Sequence, residues 1–428
     1  MTGQGQRSGA TTSMGVVAAA WLLTAVFYFY QYSMRSAPAV MVPELSAAFG
    51  MSAVGVASLV GLFYYAYAPF SLVAGVALDQ IGPKKVVPLG AASVAIGSLM
   101  FSTADPTIGG IGRFMQGAGG VFALIGAVYL VTTFMPASRA ATLIGATQMF
   151  GMAGGSAGQF VVGPLIGSGL PWDRFWFGMG IIGIPIAILL FFLIPKQEAK
   201  PKGEGGLGPA LKAMGTVFMN PQSILCGLIA GLIFVPTTIF DMVWGVRYLQ
   251  EAHDVPYSMA VMRSASVPFG WIIGCPLLGW LSDRIGRRKP VIIGAALVLL
   301  GALALILFGP TDQFPQYSLG LLAGIASGAA MIPYTVIKEA NRPEHSGTAT
   351  GVINFLNFAM TALLGPLLAS RLIAASQGGE RELGHYQQTF TPLLFGVAIA
   401  ILLALILRET GPKARRGSGA QSPQLATH

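Results

Sequence analysis

Twelve apolar runs dominate the chain, and no other feature limits its possible folds as much. They lie near residues 15–42, 52–78, 86–103, 108–133, 141–169 and 175–194, then near 222–247, 257–281, 290–309, 317–337, 347–373 and 390–407. A helix rises about 1.5 Å per residue, so runs of this length cross the roughly 30 Å hydrocarbon core of a bilayer. Charged residues make up 10% of the sequence, against about 25% in an ordinary soluble domain. So little charge cannot solubilise the surface of a 428-residue protein, and the expected class is an all-α membrane protein with twelve transmembrane helices.

The net charge of +9 does not point to nucleic acid, because the cations sit in short loops between apolar runs. If both termini are cytoplasmic, the inner segments hold 18 of the 25 Lys and Arg, and the outer loops keep Arg174, Arg247, Arg371 and Arg381. That positive-inside bias places both termini on the cytoplasmic side of the cell (inner) membrane. The first span is too long for a cleavable signal and stays as an anchor. Cys226 and Cys275 fall in separate apolar runs, with no metal-ligand spacing and no disulfide framework.

The chain reads as two copies of one unit. Gly279-Trp280-Leu281-Ser282-Asp283-Arg284-Ile285-Gly286-Arg287-Arg288-Lys289 is echoed by Gly75-Val76-Ala77-Leu78-Asp79-Gln80-Ile81-Gly82-Pro83-Lys84-Lys85. The two aspartates are 204 residues apart, close to half the chain, and Gly163-Pro164 and Gly365-Pro366 repeat at an offset of 202. Residues 1–194 and 222–407 are therefore pseudo-symmetric six-helix halves. A polar linker at 195–221 joins them, and 408–428 form a basic, disordered cytoplasmic tail.

The loop G-x-L-x-D-R-x-G-R-R-K resembles the hallmark of the major facilitator superfamily of secondary transporters. The second copy fits throughout; the first keeps Gly75, Asp79, Gly82, Lys84 and Lys85 but has Gln80 and Pro83 where the family favours arginine. The resemblance implies two parallel halves around a central site and alternating access. It also implies that each acid faces a helix start in the opposite half, where free N–H groups carry partial positive charge. Asp79 would then approach Ser346 and Gly347, and Asp283 would approach Arg139 and Ala140, closing the cytoplasmic side. The bland alternative is a cationic loop that only fixes topology.

Three further stretches bear on mechanism. In span 1, Tyr28, Gln31, Tyr32 and Arg35 share one helical face, with Pro43 beyond it. This resembles the anion-binding first span of the organophosphate and organic-anion branches; an interfacial aromatic belt with Arg35 snorkelling outward is the alternative. In span 4, Arg113-Phe114-Met115-Gln116-Gly117 resembles the family's R-x-x-Q-G motif. It makes Arg113 either a cavity residue or an arginine bound to the backbone of span 1. In span 5, Gly163-Pro164-Leu165-Ile166-Gly167 resembles part of an exporter motif, while plain glycine packing explains it as well.

Arg113, Asp241 and Arg263 each sit about 6 residues, roughly 9 Å, inside their spans, and Arg35 about 12 Å inside. Together they suggest one layer of three cations and one acid, in which Asp241 is a proton site or an ion-pair partner of Arg263. Asn354 and Asn357 stand in span 11, where the oxalate–formate branch has a lysine, and with the span 1 stripe, Arg113 and Arg263 they complete the expected substrate-binding set. Span 7 lacks the second arginine of the phosphate antiporters, so no branch fits cleanly. The leading expectation is a monomeric transporter of a small organic anion, a carboxylate, driven by protons or a counter-substrate. A drug or siderophore exporter is the runner-up, and a transporter-like sensor a minor alternative. No cofactor, catalytic residue or metal site is implied: His253, His345, His385 and His428 lie in loops or the tail.

Overall fold

The computed structural model describes residues 13–196, 207–310, 313–377 and 380–413. Among the described residues, twelve helical segments are long and apolar enough to cross a membrane: Met14–Val40, Ser58–Ile81, Pro83–Phe101, Pro106–Phe134, Ala137–Gly167 and Trp172–Leu193, followed by Pro221–His253, Met259–Ile285, Lys289–Phe308, Ser318–Glu339, Pro343–Ala375 and Leu383–Ile406. They are called spans 1 to 12 below. No strand occurs among the described residues. In hydrocarbon, helices are one of the two ways to pair every backbone N–H and C=O internally, and this sequence takes that way.

The helix ends are set locally. Asp105 caps span 4, accepting from the N–H groups of Thr107 and Ile108 at 2.8 Å each, with Pro106 as the first helical residue. Asn220 caps span 7 in the same manner, accepting from Gln222 at 3.0 Å. Span 8 stops at Gly286, whose φ of 70° is open to glycine at little cost. Span 7 is irregular: residues Pro236–Gly245 wind as a π-helix, a form enriched at functional sites.

Within each half the spans pack face to face, and the halves meet along two pairs, span 2 against span 11 and span 5 against span 8. Both meetings rely on a glycine from the repeated loop. A Cβ on Gly75 would stand 2.5 Å from the carbonyl oxygen of Gly347, and one on Gly279 would collide with the carbonyl of Ala141. Small residues are what allow helix backbones to come this close in lipid.

Two segments depart from the expectation. The stretch at 195–221 contains a helix, Leu207–Met219, that lies against spans 2, 7 and 11 and buries Ala210 and Val217; Lys200 and Lys202 fall outside the described residues. The expected disorder after Arg408 needs correction. Residues up to Lys413 fold back onto the second charged loop, where the Glu409 carboxylate accepts from the N–H groups of Arg288 at 2.7 Å and Lys289 at 3.1 Å. Those N–H groups open span 9 and have no helical partner, which is why an acid docks there. Residues 414–428 lie outside the described residues.

Candidate functional site

At the end of the molecule that carries both charged loops, the two halves are clasped. The Asp79 carboxylate accepts from the N–H of Gly347 at 2.8 Å and from the N–H and hydroxyl of Thr348 at 2.7 and 2.6 Å. Asp283 makes the mirror contact, accepting from the N–H and hydroxyl of Thr142, both at 2.8 Å. Each acid thus sits on the positive end of a helix in the other half. Gly347 is a partner the sequence named, while Thr348 lies one residue and Thr142 two residues beyond the expected positions.

The two clasps differ in their cations. Arg288 is fully buried and bridges Asp283 at 2.7 Å to Glu339 at 2.8 Å. Lys84 instead reaches the carbonyl of Ile194 at 2.9 Å, tying its loop to span 6 of its own half. Lys85, Arg284 and Arg287 are exposed to solvent and form no part of the clasp. A residue that sequence reasoning missed adds a third cross-half contact: Lys338 of span 10 donates to the Thr132 hydroxyl at 2.7 Å and the Val128 carbonyl at 3.1 Å in span 4. Its position at a span end had marked it only as a topology cation.

Towards the other end the halves separate around a cavity of about 620 Å3, bounded by Pro38, Ala39 and Val42 at the end of span 1. Tyr32 and Arg35 line it from span 1, Tyr64 and Tyr67 from span 2, Thr238 and Asp241 from span 7, and Phe358 from span 11. The Arg35 guanidinium carbon lies 4.6 Å from the ring centre of Tyr32, 4.8 Å from that of Tyr64 and 5.1 Å from that of Phe358. Its Nε donates to the Tyr64 hydroxyl at 3.2 Å, while its Nη1 is buried without a hydrogen-bond partner. Tyr64 and Tyr67 were visible in the sequence only as aromatics; one turn apart on span 2, they carried no signal that they face Arg35.

The expected layer of three arginines is corrected to one. Arg113 is fully buried inside the first half, donating to the Gln116 side chain at 2.6 Å and the carbonyls of Met34 and Val60 at 3.3 and 3.4 Å. It therefore follows the structural alternative. Arg263 lines a second, smaller cavity of about 100 Å3 inside the other half, together with Tyr248 and His253. Ser264, not Arg263, faces Asp241, donating to its carboxylate at 3.0 Å. Among the described residues no ion pair joins Asp241 to Arg263. Asp241 borders both cavities.

The span 1 stripe also divides. Tyr28 is buried and donates to the Gln148 side chain at 3.0 Å, and Gln31 is buried against Gly120, so neither lines the central cavity. The helical face is wider than the gap between halves, and its inner edge packs on spans 4 and 5. Asn354 and Asn357 are likewise absent from the wall. Asn354 donates to Ser71 of the other half at 2.8 Å and accepts from Tyr334 at 3.1 Å, and Asn357 donates to Tyr334 at 3.2 Å. They belong to the polar layer that seals the molecule between the cavity and the clasp.

Two like halves of six spans, clasped at one end around a central cavity, define a multi-pass membrane transporter. The chain belongs to the Major Facilitator Superfamily, whose model matches residues 21–366. It is 24% identical over 416 residues to the membrane sensor protein UhpC of Escherichia coli (strain K12), covering 90% of each chain. It is also 23% identical to the cephamycin export protein CmcT of Amycolatopsis lactamdurans, covering 95% of this chain and 96% of that one. The fold matches the crystal structure of the transporter FucP in the outward conformation with a TM-score of 0.72 at 15% identity, covering 92% of this chain and 99% of that one.

Proposed function

We propose that this transporter carries a small organic anion, a carboxylate, across the cell membrane by alternating access, with the charged end facing the cytoplasm and closed in this structure. The observation that carries the reading is Arg35. It is the sole cation among the residues lining the central cavity, and its Nη1 is buried with no partner. A buried N–H of a guanidinium costs free energy until an acceptor meets it, and a carboxylate supplies two oxygens in matching geometry. Asp241, across the cavity on an irregular stretch of span 7, is the proposed proton site. When it is protonated, the cavity keeps one positive charge for the anion; when it is ionised, the cavity is neutral without one. Operation as a monomer, with protons or a counter-substrate as the driving partner, belongs to the same proposal.

A second reading, an exporter of bulkier amphiphiles, is favoured by the largely apolar wall and by the similarity to a cephamycin export protein. Uptake into proteoliposomes under an imposed pH gradient separates the readings. Radiolabelled monocarboxylates should accumulate when the outside is acid, and lose accumulation when the gradient is collapsed. Transport of amphiphilic drugs with no carboxylate uptake overturns the proposal in favour of the exporter. Saturable carboxylate binding without any transport overturns it in favour of a sensor.

A further inference from the structure

We propose that the cargo is a monoanionic carboxylate with a ring-sized apolar body, taken up with one proton, and not a phosphate ester, a dicarboxylate or a polyol acid. This rests on the organic-anion reading above and narrows it.

Charge comes first. The central cavity holds one guanidinium, Arg35, and one carboxyl group, Asp241. Arg113 and Arg263, which would have raised the count to three cations, point elsewhere. With Asp241 protonated, a monoanion on Arg35 brings the site to zero charge. A dianion leaves one negative charge unbalanced among largely apolar walls, where an unpaired charge is strongly disfavoured. One proton and one monoanion also make a neutral load, which crosses without working against the membrane potential.

The polar wall argues against a sugar-like body. A polyol needs free donors and acceptors around its ring, and the serine and threonine hydroxyls of the wall are already engaged. Ser36 donates to the Gly155 carbonyl at 2.7 Å, and Ser156 to the Met152 carbonyl at 3.0 Å. Thr238 and Thr361 hydrogen-bond each other at 3.1 Å, and Ser264 donates to Asp241. Tyr64 accepts from Arg35. Tyr67 keeps a buried hydroxyl without a partner beside Arg35, ready to serve the carboxylate as a further donor.

The apolar wall argues for a planar or bulky body. Around the guanidinium stand the rings of Tyr32, Tyr64, Tyr67 and Phe358, all within 5.7 Å of its carbon. A carboxylate on Nη1 therefore holds the rest of its molecule against aromatic faces, where an apolar or aromatic body packs well. The cavity, about 620 Å3, lies within the usual range for organic ligands and is larger than a two-carbon acid needs.

Isothermal titration of the purified full-length protein with four probes tests this: benzoate, benzamide, phthalate at a pH where both its carboxyl groups are ionised, and glucose 6-phosphate. Benzoate should bind, with benzamide and phthalate at least about tenfold weaker and glucose 6-phosphate without measurable heat. Hexahydrobenzoate (cyclohexanecarboxylate) serves as a second ring probe and should bind comparably to benzoate. Phthalate or glucose 6-phosphate binding as tightly as benzoate overturns the monoanion inference and leaves the organic-anion reading standing. Benzamide binding as tightly as benzoate overturns both, as does absence of binding by every anion.

Discussion

Asp79 holds Thr348 twice, through its backbone N–H at 2.7 Å and its hydroxyl at 2.6 Å, across 269 residues of chain and across the boundary between the two halves. Asp283 holds Thr142 in the same two ways. The repeated loop therefore acts as a pair of latches, each an acid from one half on a helix start of the other. Both are engaged in this structure, which is why the central cavity has its mouth at the opposite end.

Replacing Asp79 by Asn removes the charge from the first latch and leaves one oxygen for three donors. Charge-assisted hydrogen bonds contribute about 1.5–3 kcal/mol each, so the closed population should fall by about ten- to a hundredfold relative to the open one. Asp283→Asn should act in the same direction, with Arg288 still held by Glu339 at 2.8 Å. Labelling a cysteine placed at the buried Ala74, in a chain with Cys226 and Cys275 replaced, should speed up from the charged side in both variants. Unchanged labelling rates contradict the latch.

Asp241→Asn should abolish accumulation driven by a pH gradient while sparing exchange of substrate for substrate, because exchange moves no net proton. No ion pair to Arg263 is lost in this variant, so its thermal stability in detergent should stay close to that of the wild type. Proton-driven uptake at the wild-type level with Asn at 241 rules the coupling role out.

Arg113→Ala should cost stability and leave affinity alone. The substitution strips donors from the carbonyls of Met34 and Val60 and from Gln116, inside a fully buried site. A loss of about 3 kcal/mol or more is expected from hydrogen bonds of this kind, read as a lower Tm. An unchanged Tm together with a weakened substrate affinity would return Arg113 to the cavity.

The latches were legible in the sequence because they are built from a local motif and a copy of it at fixed offset. Ser346, Gly347, Arg139 and Ala140 were expected as neighbours; Gly347 is a partner as expected, and the other partners, Thr348 and Thr142, lie one and two residues further along their helices. The fate of the arginines was not legible. Arg35, Arg113 and Arg263 sit at similar depth, and depth does not say which neighbour a helix face meets. Span 4 runs against spans 1, 2 and 3, so Arg113 is enclosed on every side. On span 8 Ser264 meets Asp241, while Arg263, the residue before it, lines the second cavity. The helix at Leu207–Met219 was hidden because flanking Gly and Pro made the whole segment read as linker.

The account stands or falls on Arg35. Its direct test is the Kd of the tightest-binding monocarboxylate for purified wild type, Arg35→Lys and Arg35→Ala, each shown to be folded by its Tm. Lysine keeps the charge but not the planar fork, so Arg35→Lys should bind more weakly than the wild type and more tightly than Arg35→Ala. Removing the guanidinium altogether should weaken binding by about ten- to a hundredfold, the equivalent of about 1.5–3 kcal/mol. A folded Arg35→Ala protein whose Kd lies within about twofold of the wild type would contradict the anion site.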